Sequence, residues 1–449
     1  MDVTSAGSAT TGDDEFFSDD RTSGHDGAIE LPQDSYEHFL FDRDDPQLTR
    51  YRGQHYAEYS RDRVEPSFVQ DLLASWEALY REPFRGITAD GTVMGGLYPL
   101  VEREPEPASE PASVEAARRV LDTLSTEERA RVGYPIDARE WRAWSNPEFV
   151  IHPVGLRLED IDEPAVAAVH DLMRAALSPE GYELVRSAME LNGFLGELVD
   201  LPTVMNPRSY SFAVFGTPSG DEPWGWQLFG HHVALNVVVV GGRCVIAPVF
   251  LGAEPALTDD GRPSIFQRRE EIALQLAGSL APEQRAEAVV YASVLDTAMP
   301  ADRLHPADER HVAGAFRDNR VVPYEGVSAA TFTLAQTESL RALIREFLLL
   351  VPEEQRHATM ADVDRRLSET RFAWYGATDG SQPFYFRIQS PVILAELDHH
   401  AGVWLTNRLP ARFHVHTVLR LPNGNDYGRA YIDAWRSARG IETEDPAWG

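Results

Sequence analysis

Between Ser209 and Phe250 the apolar residues stop recurring at helical spacing and begin to alternate, in runs joined by very short connections. Tyr210, Phe212 and Val214 share one face of the first run, and Gly216 to Gly220 form a turn. Trp224, Trp226 and Leu228 alternate in the second run, and His231 to Val240 turns at Gly241-Gly242 into Arg243 to Phe250. Links this short cannot carry a parallel crossover, so the runs are expected to form an antiparallel meander. A second β region extends from Phe372 to Leu419.

Helical patterns surround both regions. Ser125-Thr126-Glu127-Glu128 is a capping box ahead of a helix. Asp162 before Pro164, and Ser178 before Pro179, open two more, and further helices are expected at Ile265–Leu276, Pro282–Val290 and Thr333–Leu350. The order helices, strands, helices, strands predicts an α+β fold: mainly antiparallel sheet covered by helices, with a largely helical N-terminal third. No internal repeat is visible. Residues 1–30 are predicted to be a disordered acidic tail and Glu104 to Pro111 a surface linker. Residues 31–449 then form a single unit, or two packed lobes: a mainly helical 31–200 and a β-rich 201–449 that carries the site.

Composition excludes several chemistries. All 41 basic residues are arginine, so a phosphate-loop lysine and a Schiff-base lysine are absent; neither pyridoxal phosphate nor a nucleotide loop is expected. With 71 acidic residues the net charge is −30, which repels phosphate backbones and anionic lipid. Nucleic acid and membranes are therefore not expected partners, although acidity also serves solubility alone. Cys244 is the only cysteine and lies in an apolar run, which rules out an intramolecular disulfide or a thiolate metal cluster and suggests a buried structural thiol. There is no signal-peptide pattern and no apolar run of membrane-spanning length, so a cytoplasmic location is expected.

The candidate chemistry lies on the two β regions. In Gly230-His231-His232-Val233-Ala234-Leu235-Asn236, alternation would put His231 on the core face with Val233 and Leu235, and His232 on a small polar face with Asn236. His232 is therefore the candidate ligand. His414 and His416 in Phe413-His414-Val415-His416 share a strand face about 7 Å apart, a spacing at which two imidazoles can hold one divalent ion. Glu396 and Asp398 share a face of the preceding strand; paired with the histidine strand, it would supply a carboxylate to complete a His/His/carboxylate set. Tyr385 and Arg387 form a polar face suited to an anionic substrate, with Asn236 and Trp226 as further substrate contacts and Asp398 or Asp426 as proton carriers. Against these stand plainer readings: histidines hydrogen-bonded in the core, Trp226 as packing, Arg387 paired with Glu396. His305, His311, His399 and His400 fall in loop-like sequence and are expected to be solvated.

Familiar signatures are missing, among them H-E-x-x-H, a nucleophile elbow and G-x-G-x-x-G before a helix. An ordered series of segments nevertheless resembles the uncharacterised bacterial family known as domain of unknown function 3500. It comprises Trp224-Gly225-Trp226, Gly230-His231-His232 with Asn236, Phe250-Leu251-Gly252 with Pro255, and Phe372-Ala373-Trp374 with Gly376. Tyr385 with Pro391, Glu396 with Asp398, His414 with His416, and Asp426 with Gly428 complete it, from about Glu163 to the C-terminus. The resemblance implies that the histidine and carboxylate positions form one constellation, and it implies no reaction. The segment between Asp398 and His414, with Trp404 and Arg408, is longer here than in the family.

These readings give a divalent-metal enzyme acting on a small, carboxylate-bearing molecule by Lewis-acid or activated-water chemistry. His232, Glu396, His414 and His416 would hold one Zn, Fe or Mn ion. The alternatives are a non-heme iron or manganese oxygenase and a non-catalytic binding protein with a structural histidine network. The oligomeric state is not constrained.

Overall fold

A computed structural model describes residues 35–100, 112–258 and 263–441. The acidic tail expected at 1–30 and the linker expected at Glu104 to Pro111 lie outside the described residues. Among the described residues no helix is long and apolar enough to cross a membrane.

The fold is α+β. Three helices lead in: α1 (Pro46–Thr49), α2 (Tyr56–Arg63) and α3 (Ser67–Arg81). There follow α4 (Ala112–Thr123), α5 (Thr126–Val132), β1 (Gly133–Tyr134), β2 (Leu156–Arg157), α6 (Glu163–Ala176) and α7 (Pro179–Leu198). A four-stranded meander comes next: β3 (Tyr210–Phe215), β4 (Trp224–Gly230), β5 (Val233–Val240) and β6 (Arg243–Ala253). The same order then returns as α8 (Gln267–Gly278), α9 (Pro282–Ala288), β7 (Val289–Tyr291), β8 (Val327–Ser328), α10 (Leu334–Phe347) and α11 (Glu353–Arg365). It ends in a second meander, β9 (Arg371–Tyr375), β10 (Tyr385–Gln389), β11 (Leu394–His399) and β12 (Val415–Arg420), closed by α12 (Arg429–Ala438). The caps read from sequence are in place: Ser125 and Glu128 make a reciprocal capping box on α5, and Asp162 and Ser178 accept from Ala165 N and Gly181 N.

All twelve described strands belong to one sheet, with a palindromic order along its main path: β1-β3-β4-β5-β6-β12-β11-β10-β9-β7. β1 runs parallel to β3 as β7 does to β9, and β2 pairs with β3 as β8 does with β9. The chain is thus an internal repeat whose halves meet where β6 pairs antiparallel with β12. This corrects the expectation of no repeat. Its trace in the sequence is a shared spacing with an offset of 160. Phe212-Ala213, Gly216, Gly220, Pro223 and the aromatic pair Trp224/Trp226 match Phe372-Ala373, Gly376, Gly380, Pro383 and Phe384/Phe386. Gly155 and Gly326 occupy matching places, because a Cβ on either would sit 1.9 Å from Phe212 O or 2.1 Å from Phe372 O. Only scattered positions were kept, too few for a pattern search at short periods.

One face of the sheet packs on helices: Cys244 reaches Ala176 O at the end of α6, and Arg269 of α8 donates to Thr417 Oγ1. The other face is covered by the β1–β2 connection (135–155), the β7–β8 connection (292–326) and the turn before α12. Trp141 lies over Gly225, Val312 N and Ala313 N donate to Glu396, and Gly428 packs on Val238. Covered on both sides, β3 and β4 are buried along their whole length.

Gly155 tests this packing. Gly155→Ala is expected to lower the thermal midpoint far more than Gly53→Ala, since Gly53 shares the left-handed backbone but has nothing within 4 Å of its Cβ position. The Gly53 change should cost only about 1 kcal/mol of backbone strain.

Candidate metal centre

The site forms on the loop-covered face, where the two repeats meet. β11 pairs with β12 so that Asp398 lies opposite His416, and β12 pairs with β6 so that His416 lies opposite Gly252. The pairing of the carboxylate strand with the histidine strand is as read from the sequence. A Cβ on Gly252 would lie 2.7 Å from His416 Cδ2 and 2.8 Å from His232 Cδ2. Glycine leaves the space that the two imidazoles fill.

His232 arrives by a different route from the one expected. His231 and His232 are not strand residues but the turn between β4 and β5, and His232 has φ of 64°. Alternation therefore does not separate them; their rings stack with centroids 3.8 Å apart. Asn146 Oδ1 accepts from His232 N, and His232 O accepts from Gly252 N, which hold this strained turn in place. His231 is tied to Asn192 by a 2.8 Å contact through Nδ1.

His232, His414 and His416 each offer a ring nitrogen, all within 4.8 Å of one another and all buried. His414 Nδ1 lies 2.7 Å from Ala401 O, so that nitrogen carries the proton and Nε2 presents its lone pair. His414 Nε2 is 3.0 Å from His416 Nε2. His232 Nδ1 is buried without a hydrogen-bond partner. Burial, and then the neighbouring imidazoles, push all three well below the ordinary histidine range. They are neutral at physiological pH, the form that ligates metals.

A second group shares His416: His311, His400 and His416 also offer nitrogens within 4.8 Å of one another. The sequence predicts solvated loops for both added histidines, yet both are buried. His400 extends the alternation of Glu396 and Asp398 by one more step past β11, a signal that period-two reading carried to its end would have found. His311 sits in the β7–β8 connection, where no periodicity marks it. His305 and His399 do not join the cluster: His305 is half-buried beside Asp308, and the buried His399 is bound through Nδ1 to the Phe384 backbone.

The predicted carboxylates stand behind imidazoles. Glu396 does not belong to the His232 group; it accepts from Val312 N, Ala313 N and Tyr385 Oη and lies 3.5 Å from His311 Nδ1. That separation is an ion pair rather than a hydrogen bond. Burial would raise Glu396, but His311, Arg387 and Tyr385 hold it at about 2. Burial likewise pushes His311 down, and Glu396 outweighs it, leaving a net upward shift. Asp398 takes Arg310 Nε at 2.7 Å and lies 3.2 Å from His400 Nε2.

The remaining candidates lie elsewhere. Tyr385 is committed to Glu396, and Arg387 pairs at 2.9 Å with Glu325, a partner the sequence did not suggest. Asn236 accepts from Gln227 and donates to Pro248 O, and Trp226 is fully buried core. Asp426 accepts from Leu421 N and Arg420, within a buried network that includes Asp318 and Arg142. Burial raises it to about 6. A cavity of about 80 Å³ opens beside the histidines, with Val69, Leu72, Trp76, Phe149 and Val403 among its lining residues. No arginine lines it, and the buried Trp76 Nε1 has no hydrogen-bond partner.

Gly252→Ala should push both imidazoles aside while leaving the strands paired. On the expectation that these imidazoles hold an ion, metal affinity measured by competition with a chromophoric chelator should fall about 10- to 100-fold with the far-UV spectrum unchanged.

No curated protein and no solved structure matches the chain. The family model for the protein of unknown function DUF3500 matches residues 106–429, which include every histidine of the cluster and both meanders. The chain belongs to that family.

Proposed function

We propose that the protein is a divalent-metal-dependent enzyme that acts on a small organic molecule through a Lewis-acid ion held by His232, His414 and His416. The observation that carries this reading is the convergence of three neutral, buried imidazoles from both repeats beside a cavity. Three neutral ligands leave the ion its full double charge. That favours polarising a carbonyl or lowering the pKa of a bound water toward 7. A two-histidine, one-carboxylate oxygenase set has less support, because Glu396 and Asp398 are engaged behind His311 and His400.

The cavity also bears on the substrate. Arg387 is taken by Glu325, and the cavity lining joins an apolar side, with one free indole N–H, to histidines and the carboxylates Glu148, Asp308 and Glu309, which repel an anion. An uncharged molecule with an acceptor oxygen fits this better than the carboxylate expected from sequence. Trp76 Nε1 would donate to that oxygen, and the apolar walls would exclude water.

Elemental analysis of the purified protein tests the reading. Wild type is expected to hold at least about one equivalent of a divalent metal, and His416→Ala to lose nearly all of it with its far-UV spectrum retained. Metal-free wild type that takes up none on dialysis would overturn the proposal. So would a His416→Ala variant that loses thermal stability but keeps its metal, since this is the behaviour of a structural histidine network. Oxygen consumption by the metal-loaded protein would transfer the assignment to the oxygenase class.

A further inference from the structure

The geometry points to a two-ion centre: we propose that a second divalent ion binds His311, His400 and His416, with His416 bridging the two. The proposal rests on the reading of His232, His414 and His416 as the first ion's ligands. Its own basis is a different pair of residues from different parts of the chain. His311 comes from the β7–β8 connection and His400 from the end of β11, and with His416 they bring three nitrogens within 4.8 Å of one another.

Three features distinguish this group from packed core. First, His311 Nε2 is buried without a hydrogen-bond partner, while His311 Nδ1 and His400 Nε2 meet only carboxylate oxygens. An unpartnered nitrogen is costly to bury unless a ligand satisfies it. Second, each added histidine has a carboxylate behind it. Glu396 Oε2 is 3.5 Å from His311 Nδ1, Asp398 Oδ2 is 3.2 Å from His400 Nε2, and Glu309 Oε1 is 3.7 Å from His400 Nδ1. A carboxylate behind an imidazole orients the ring and raises its basicity toward a metal. Third, those carboxylates are themselves fixed: Glu396 by Val312 N, Ala313 N and Tyr385, Asp398 by the Arg310 guanidinium and backbone N–H, Glu309 by Ala401 N. They are built to hold histidines in place rather than to swing away. The cavity lined by His232, His400, His414 and His416 gives both positions a common opening.

A neutral imidazole has one lone pair and one N–H, so it cannot serve two ions as it stands. When the second ion binds, the remaining N–H bond of His416 must break. The proton leaves to solvent, the freed electron pair forms the new metal–nitrogen bond, and His416 becomes an imidazolate between two cations.

Titration of the metal-stripped full-length protein with cobalt(II) tests this, read by bound metal after gel filtration and by proton release in weak buffer. Two equivalents are expected for wild type, and one for a His311→Gln/His400→Gln variant. The second equivalent should release at least one more proton than the first, since any proton held by His311 must leave with that of His416. Wild type saturating at one equivalent, kept by the His311/His400 variant, would overturn the second ion and leave the first site standing. A single equivalent that survives loss of either histidine pair would also overturn it, since one ion would then be moving between two positions. No binding by any form would remove both proposals. Should the double variant fail to fold, the wild-type stoichiometry decides alone.

Discussion

The pairing of β6 with β12 is the contact on which the rest of the structure depends. It joins the two repeats into one sheet, and its register decides which side chains face the cavity. A slip of one residue would send His416 to the helix-covered face and bring Thr417 into its place. The register is pinned from both sides. On the helix face, Thr417 donates to Leu251 O and accepts from Arg269; on the loop face, Gly252 N donates to His232 O. The interactions that position the cluster are therefore the same ones that hold the halves together.

The repeats have diverged in a way that follows from this arrangement. Where the second half pairs Arg387 with Glu396 across its strands, the first half pairs Gln227 with Asn236 in the same register. The amide pair is neutral and closed on itself and the backbone: Gln227 donates to Asn236 and Trp141 O, and Asn236 donates to Pro248 O. Trp141 stacks on Phe215 and fills the space over Gly225. In the second half Tyr385 occupies the position matching Gly225 and donates to Glu396, which lies beside His311, while Arg387 pairs with Glu325. One half became core, while the other kept the polar face that supports the histidine cluster.

What was legible in the sequence was local and periodic. Alternation put His414 and His416 on one face and Glu396 and Asp398 on another, and short turns forced these strands into an antiparallel sheet. The left-handed turn at His231-His232 was not legible, because a histidine at positive φ carries no sequence mark. His232 was thus chosen through an alternation that does not operate there. His311 and the Glu325 partner of Arg387 come from the long connection between β7 and β8, whose path is set by tertiary contacts. The repeat escaped because divergence left only Phe-Ala, two glycines, a proline and an aromatic pair at matched spacing.

The cluster also poses an energetic problem. His232 Nδ1 and His311 Nε2 are buried and unpaired for hydrogen bonding. Each such group costs about 1–3 kcal/mol, so the two together are a large fraction of the stability of a typical domain. Leucine or phenylalanine at these positions would remove that cost, and the neighbouring Phe250 and Trp144 show that the surroundings accept large apolar rings. Retaining imidazoles there is a local violation of good packing, of the kind folded proteins carry at functional sites. Divalent cations would satisfy those lone pairs that can converge on them. By mass action they would then stabilise the native state in proportion to their affinity. Under the proposed function, the metal-loaded protein should therefore be the more stable form.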